Sequence, residues 1–326
     1  MEKDQKKKQN RSLLINLIPG FLVLGVMIVM VFFKDQLFMK ARYDLHTASG
    51  AAFAEDGKTV LIDESRSSIK ILDKKMRLIK EYKGESENSF YYADWAVYKN
   101  GILYVADTKY DKNNKNIETK RLLTITDKKV NVYFEKKKDL TDIDSSNDIL
   151  DIQVKNGNIY FLISVDYGLE SYVIDKNVPW PKLLNRYYVG DKINDAGIDL
   201  DSGAVAIAVK RGYLRVYDPE SGKWNNLEVY NDHIMPNRVA IKGEYLYFSD
   251  LYENKIYSMN LKNSYGVKTL VAAGDKPVFI ETDETGKKLI AVCAGGFYVL
   301  EGVKESFVSS IRYSGFYKTL LLWAVA

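Results

Sequence analysis

Between residues 50 and 312 one pattern of apolar and polar positions occurs six times along the chain. An alternating strand leads into a turn ending in glycine, a second strand is apolar at nearly every position, and a third alternating strand closes on an acidic or amide residue. The turn glycines are Gly57, Gly101, Gly157, Gly203, Gly243 and Gly286, at spacings of 44, 56, 46, 40 and 43 residues. The second strands run Thr59 to Asp63, Ile102 to Asp107, Ile159 to Ile163, Ala204 to Val209, Tyr245 to Asp250 and Leu289 to Val292. Unbroken apolar character predicts burial on both faces, as for an interior strand sandwiched between neighbouring sheets. Third strands end at Asp73, Asp127, Asp175, Asp218, Asn260 and Glu301, and fourth strands such as Arg77 to Tyr82 and Val130 to Phe134 follow them. Tight hairpins need a residue at positive φ, which explains the glycines.

A four-stranded unit repeated at this interval is a propeller blade, and radial closure protects the sheet edges an open array would expose. The pattern therefore predicts an all-β fold, a six-bladed β-propeller over residues 49–312. The long second spacing is accounted for by the polar insertion Lys109 to Asn116, expected as an exposed loop. A solenoid of hairpins would also be periodic, but it needs capping ends that the sequence does not display. Segments such as Gly243 to Asp250 followed by Asn254 to Asn260 resemble NHL-type and YWTD-type six-bladed propeller repeats, although the signature tetrapeptide of the second group is absent. The resemblance covers roughly residues 45 to 312 and implies a propeller fold with a bias toward ligand or protein binding.

Ahead of the repeats the pattern changes. Residues 1–12 are basic, with Lys3, Lys6, Lys7, Lys8 and Arg11, and Leu13 to Phe33 is an uncharged apolar run of 21 residues. At about 1.5 Å per residue this run covers a hydrocarbon core of roughly 30 Å. Phe33 to Phe38 offers no small-residue cleavage site, so the expectation is an uncleaved transmembrane helix over 13–33 with its basic tail cytoplasmic. Asn16 and Pro19 fall in its first turns, near the headgroups, where helix ends are loosely constrained. Residues 34–48 then read as a linker. After the repeats, 313–326 turn apolar from Phe316 onward; the favoured reading is the start of a second transmembrane helix, against a natural amphipathic tail or a closing strand. A propeller between two membrane crossings is similar to the extracytoplasmic sensor domains of bacterial membrane signalling receptors.

Composition narrows the functional classes. Charged residues are 28% and the net charge is +4, which argues against nucleic acid as a partner. The single cysteine, Cys293, sits in the apolar run Leu289 to Ala294 and is expected as a buried core thiol. Two histidines, His46 and His233, leave little material for a histidine metal site or a histidine-based catalytic centre. Asp142 to Asp148 suggests a calcium loop, but it lacks the glycine at the sixth position and has Gln153 at the twelfth, so an EF-hand is rejected. Walker, Gly-x-Ser-x-Gly and dinucleotide motifs are absent from the sequence, and no cofactor is expected. Trp95 and Trp180 are expected as packing residues, and Lys136, Lys137 and Lys138 as solvated edge charge.

One constellation remains. Asn-Asp pairs precede the innermost strand of three successive repeats, Asn147-Asp148, Asn194-Asp195 and Asn231-Asp232, with Tyr91, Tyr92, Asp94, Asp275 and Lys276 at comparable places in two others. Segments leading into inner strands converge on one mouth of a propeller channel, so these residues and His233 are the candidate ligand-binding set. The bland alternative is turn chemistry, since Asn and Asp bond their own backbone in turns. The function expected is a ligand- or protein-binding sensory propeller outside the cytoplasm, membrane-tethered and possible as a homodimer. A tethered scaffold for cell-envelope assembly is the alternative, and a propeller lactonase or hydrolase the least favoured.

Overall fold

Glycine-punctuated strands of five to eleven residues find antiparallel partners in the next strand along within each sheet, which makes five of the sheets local meanders. The computed structural model describes residues 39–43 and 48–301, apart from 64, 76, 85–88, 112–116, 128, 140–146, 228–233, 251, 253, 263–266, 273–276 and 294–295. After β1 (Met39–Tyr43), the first sheet comprises β2 (Ala48–Phe53), β3 (Thr59–Asp63), β4 (Ser68–Leu72) and β5 (Leu78–Lys83). The second comprises β6 (Tyr92–Lys99), β7 (Ile102–Tyr110), β8 (Ile117–Ile125) and β9 (Val130–Asp139). In the third are β10 (Ile149–Lys155), β11 (Asn158–Val165), β12 (Gly168–Asp175) and β13 (Val178–Tyr188). The fourth holds β14 (Ile193–Ile198), β15 (Val205–Val209), β16 (Tyr213–Asp218) and β17 (Lys223–Leu227). The fifth holds β18 (Pro236–Lys242), β19 (Tyr245–Asp250), β20 (Lys255–Asn260) and β21 (Val267–Ala272). The sixth orders β22 (Pro277–Thr282), β23 (Lys288–Cys293), β24 (Gly296–Glu301) and then β1.

The first strands of the sheets pack on one another in a circuit: β2 on β6, β6 on β10, β10 on β14, β14 on β18, β18 on β22, and β22 back on β2. That radial arrangement is a β-propeller. The second strands are sandwiched as their composition predicts, with Val60, Leu61 and Ile62 at most 2% exposed and Val205 to Val209 fully buried. Each such aliphatic side chain contributes roughly 1.5–3 kcal/mol by leaving water. The core forms between adjacent sheets rather than within one: Ile62, Ile69 and Tyr82 pack with Ala96, Leu103 and Val105 of the next sheet.

All six marker glycines have positive φ, from 58° at Gly243 to 82° at Gly157. At Gly101 a Cβ would meet nothing within 4 Å, so the requirement there is conformational and not one of space. Cys293 is a core thiol, 1% exposed. Three expectations need revision. Met39 to Tyr43, read as linker, is a strand that takes the outermost place beside β24; the sequential pattern of four strands per repeat hides a strand supplied from the other end of the chain. Trp180, read as a packing residue, is 74% exposed, on β13, the outermost strand of its sheet. The insertion Lys109 to Asn116 is partly strand, since β7 runs to Tyr110 and pairs Tyr110 with Glu118. The expected membrane segments, Leu13 to Phe33 and 313–326, lie outside the described residues, as do His46 and the Asp142 to Ser146 run. Among the described residues no helix is long and apolar enough to cross a membrane.

Candidate functional site at the propeller axis

The innermost strands carry an irregularity shared by most of them. Pairing with the second strand slips just before Gly50 in β2, Trp95 in β6, Asp151 in β10, Asp195 in β14 and Phe279 in β22. In β18 the slip falls between Pro236 and Val239, with Arg238 inside it. A bulge re-aims the side chain beside it, and this one does so at the same level in successive sheets. Gly50 has no side chain, so Trp95 and Phe279 from the two flanking sheets meet, with ring centroids 4.6 Å apart. A Cβ at Gly50 would stand 3.6 Å from Phe279. The opposite side of the axis is charged: Arg238 Nη1 lies 3.6 Å from Asp195 Oδ1, and Arg238 Nε donates to Val278 O at 2.7 Å.

Asp151 and Asp195 each tie their strand to the next sheet. Asp151 Oδ2 accepts from Ile198 N at 3.0 Å, and Asp195 Oδ2 accepts from Val239 N at 2.8 Å. Their second oxygens have no hydrogen-bond partner, and neither does Trp95 Nε1. Asp151 and Trp95 border a void of about 10 Å³ with Gln153, Gly197, Ile198, Val239, Ala240, Ile241 and Glu281. That is room for about one water-sized group. Burial pushes Asp151 up to about 7, with the nearby charge of Asp195 adding to it and the Ile198 N–H opposing it. Burial likewise lifts Asp195 to about 6, against the pull of Arg238. Glu281 stands well above the usual carboxylate range, through burial and then the charge of Asp151.

Trp95, Gln153, Ile241 and Glu281 also border a larger cavity of about 360 Å³ that opens where the innermost strands end. Its wall is apolar at Ala52, Val97 and Ile152, and its rim carries Glu55, Lys99, Lys242 and Asp283. The rim lysines are paired: Lys99 with Glu284 at 2.6 Å, and Lys242 with Asp199 at 3.0 Å and Asp201 at 2.5 Å. A second cation, Lys155, shares Asp201 at 2.6 Å, and the two lysines hold that carboxyl down at about 2.

The set expected from sequence is distributed differently. Asp94 and Asp148 do come together, through Lys120, which lies 3.3 Å from Asp94 Oδ2 and 2.9 Å from Asp148 Oδ1. Arg66 takes the other oxygen of Asp94 at 2.7 Å. Lys120 is 8% exposed, and its neighbouring carboxylates raise its pKa against the opposing effect of burial, which is individually the largest influence. Tyr91 and Tyr92 are held by their backbone: both N–H groups donate to Asp107 Oδ1, at 2.6 and 2.8 Å, while Arg121 Nε donates to Asp107 Oδ2 at 2.8 Å. Arg121 and Lys109 stand over the Tyr91 ring. Asn147 is buried, and Asn194 Nδ2 donates to Pro236 O at 3.4 Å. Asp195 leaves the group for the axis. Asn231, Asp232, His233, Asp275 and Lys276 lie outside the described residues.

The residues sequence reasoning missed are Asp151, Gln153, Arg238, Glu281, Lys120 and Arg121. Asp151, Arg238 and Glu281 each break an otherwise apolar or alternating inner strand, and that signal becomes readable only when strands 40 residues apart are superposed at their bulges. Among the described residues no group of three or more histidine, cysteine or acidic side chains is placed to hold a metal ion.

No protein family and no curated protein matches the chain by sequence. Solved structures do match. A catalytically inactive virginiamycin B lyase from Staphylococcus aureus with quinupristin aligns with TM-score 0.50 at 14% identity, over 80% of this chain and 98% of that one. A nidogen/laminin complex aligns with TM-score 0.47 at 17% identity, over 68% of this chain and 79% of that one. At the identity of the lyase the likeness is one of fold, and the fold is the β-propeller.

Proposed function

We propose that the chain is a recognition module: six blades of an NHL/YWTD-like propeller, held at the outer face of a bacterial membrane by Leu13 to Phe33, that binds a small ligand in its axial cavity. The observation that carries this reading is the cavity of about 360 Å³. It falls within the size range of small-molecule pockets, about 300–1,000 Å³, and joins apolar walls to a few convergent polar groups. Sensing then consists of passing the liganded state of the propeller to the membrane segments. The near mouth, where Asp94, Asp148, Tyr91 and Tyr92 lie, serves mainly to fix the loops that lead into the inner strands, because its charges are spent on one another.

The test uses the full chain in detergent, screened against small metabolites by thermal shift, beside Val97→Trp, which fills the cavity from its half-buried wall. A ligand that raises the melting temperature of the native chain and not of the variant supports the reading. Ligands that act equally on both, or a screen in which none acts on the native chain, count against it. Reporter fusions to each end of the chain test the membrane topology separately: a reporter active in the cytoplasm when joined beside the propeller would refute the outward placement.

A further inference from the structure

The bottom of the axial cavity holds polar atoms that the fold itself does not use. Asp151 is 2% exposed, and Trp95 is 6% exposed. Asp151 and Trp95 both border the void of about 10 Å³, and Asp151 Oδ1 and Trp95 Nε1 have no hydrogen-bond partner. Glu281 borders the same void from the opposite side of the ring and also the larger cavity above it. The void therefore presents one carboxyl oxygen, on Asp151, that wants a donor, one indole N–H that wants an acceptor, and the carboxyl of Glu281, whose Oε1 accepts from Thr282 N at 2.9 Å. The charged groups around it are Asp195 from β14, held by Arg238 of β18, and Glu281 from β22. The neighbouring strands β2 and β6 present Ala52 and Trp95, neither of which titrates.

From this we infer that the axial site takes a small molecule with a primary ammonium group and an oxygen acceptor next to it, an amino alcohol or amino-acid derivative. The ammonium seats in the void between Asp151 and Glu281, the acceptor meets Trp95 Nε1, and the apolar remainder lies against Ala52, Val97 and Ile152. The inference rests on the cavity being the binding site. An ammonium group is close to water in size, which matches a void with room for about one such group. Once the pH is high enough to ionise the acids, a carboxylate ligand would face their charges and bring no donor, and a bare alcohol would satisfy the indole and leave the acids without charge compensation. Because burial keeps Asp151 and Glu281 protonated toward neutral pH, seating the cation releases a proton from the site to the solvent, and affinity rises with pH.

The experiment titrates leucinol and, as its amine-free counterpart, isohexanol into the full chain by calorimetry at about pH 5.5 and about pH 8. Repeating each titration in two buffers of different ionisation enthalpy counts the protons released. Leucinol is expected to bind at least tenfold more tightly than isohexanol at the higher pH, where Asp151 is already largely ionised, and to lose most of that advantage at the lower pH, where its binding releases a proton. Asp151→Asn should abolish the preference while isohexanol binds as before. Glu281→Gln provides a second variant should the first fail to fold. Equal affinities for the two probes, both abolished by Val97→Trp, would overturn the ammonium assignment and leave the cavity reading intact. Leucinol binding undiminished in Val97→Trp would overturn the cavity reading itself. Undetectable leucinol binding at the higher pH, or an affinity independent of pH, would also overturn the assignment.

Discussion

Replacing Asp151 by Asn probes the axial carboxyl cluster through stability alone, with no ligand present. Asparagine keeps the acceptor that receives the Ile198 N–H at 3.0 Å, so the link between β10 and β14 survives. What changes is the charge. The carboxyl of Asp151 ionises near 3.8 in an open chain and is pushed up to about 7 in the fold by burial. A folded-state pKa above the unfolded one means that the unfolded chain gives up its proton first. The fold is therefore undisturbed by this group at low pH and increasingly destabilised as pH rises through the interval between the two values. At about 1.4 kcal/mol for each tenfold change in acidity, the loss approaches about 4 kcal/mol once the pH exceeds that of the folded carboxyl. Asp151→Asn should thus match the native chain within about 1 kcal/mol near pH 4 and exceed it by up to about 4 kcal/mol near pH 8.5. At roughly 2–4 °C per kcal/mol for a domain of this size, the melting curves should separate by about 10 °C at the alkaline end. The assay is thermal melting of both proteins from about pH 4 to about pH 9 in the same detergent. Because the charge of Asp151 also raises Glu281, the pH dependence left in the variant should be shallower than one group's removal alone predicts. Parallel curves, or a variant less stable at the alkaline end, would refute the placement of a strained carboxyl at the axis.

Three further perturbations address the fold and the near mouth. Gly101→Ala should cost about 1–2 kcal/mol, read as a lower urea midpoint with unchanged slope, since φ there is 76° and an added Cβ meets nothing; an unchanged midpoint would remove the reason given for the marker glycines. Arg121→Met should cost roughly 3–5 kcal/mol by leaving Asp107, fully buried, without its cation, and adding Asp107→Asn should recover part of the loss in a double-mutant cycle. Trp180→Ser should shift stability by no more than about 0.5 kcal/mol, as expected for a side chain 74% exposed on an outer strand, measured by the same urea melts.

The repeat was legible because two independent signals coincide in it: a turn that only glycine fills easily, and a following strand with no polar face. Both are local, so one sequence suffices. The axis was not legible, because it is built from one or two residues in each sheet, and their level is fixed by the slip in strand pairing before Gly50, Trp95, Asp151, Asp195 and Phe279. A slip of one residue exchanges the two faces of a strand, and nothing in an isolated inner strand says where the slip falls. The near mouth was half legible. Asn147 and Asp148 do lie just before β10, but Asn194 and Asp195 fall within β14 and Asp94 within β6; Asp94 with Asp148 do share a site. Yet the group that joins them, Lys120, comes from β8, where an alternating strand gives no hint that its lysine is buried. Asp195 misled because its neighbour Asn194 points to turn chemistry, while the bulge carries the carboxyl to the axis.

The near mouth and the axis differ in how their polar groups are satisfied. At the near mouth Asp94 is met by Arg66, Lys120 and Thr108, and Asp107 by Arg121 and two backbone N–H groups. A network closed in this way rigidifies what it joins and has little affinity left for anything else. At the axis, by contrast, Asp151 Oδ1 and Trp95 Nε1 are buried with no hydrogen bond, while Asp195 Oδ1 faces Arg238 at 3.6 Å. Each such atom costs about 1–3 kcal/mol, and turn geometry or ring closure gains nothing from them, since Asp151 and Asp195 already make their links between sheets through the other oxygen. On the proposed function, a ligand entering the cavity recovers the penalty by supplying the missing partners. Occupancy should then stabilise the whole propeller, by about 2.7 kcal/mol at a ligand concentration one hundred times the dissociation constant. The inner strands of five sheets border the void, so a ligand seated there touches nearly every unit of the ring at once. That is the geometry by which a small molecule can change the behaviour of a propeller as a single body.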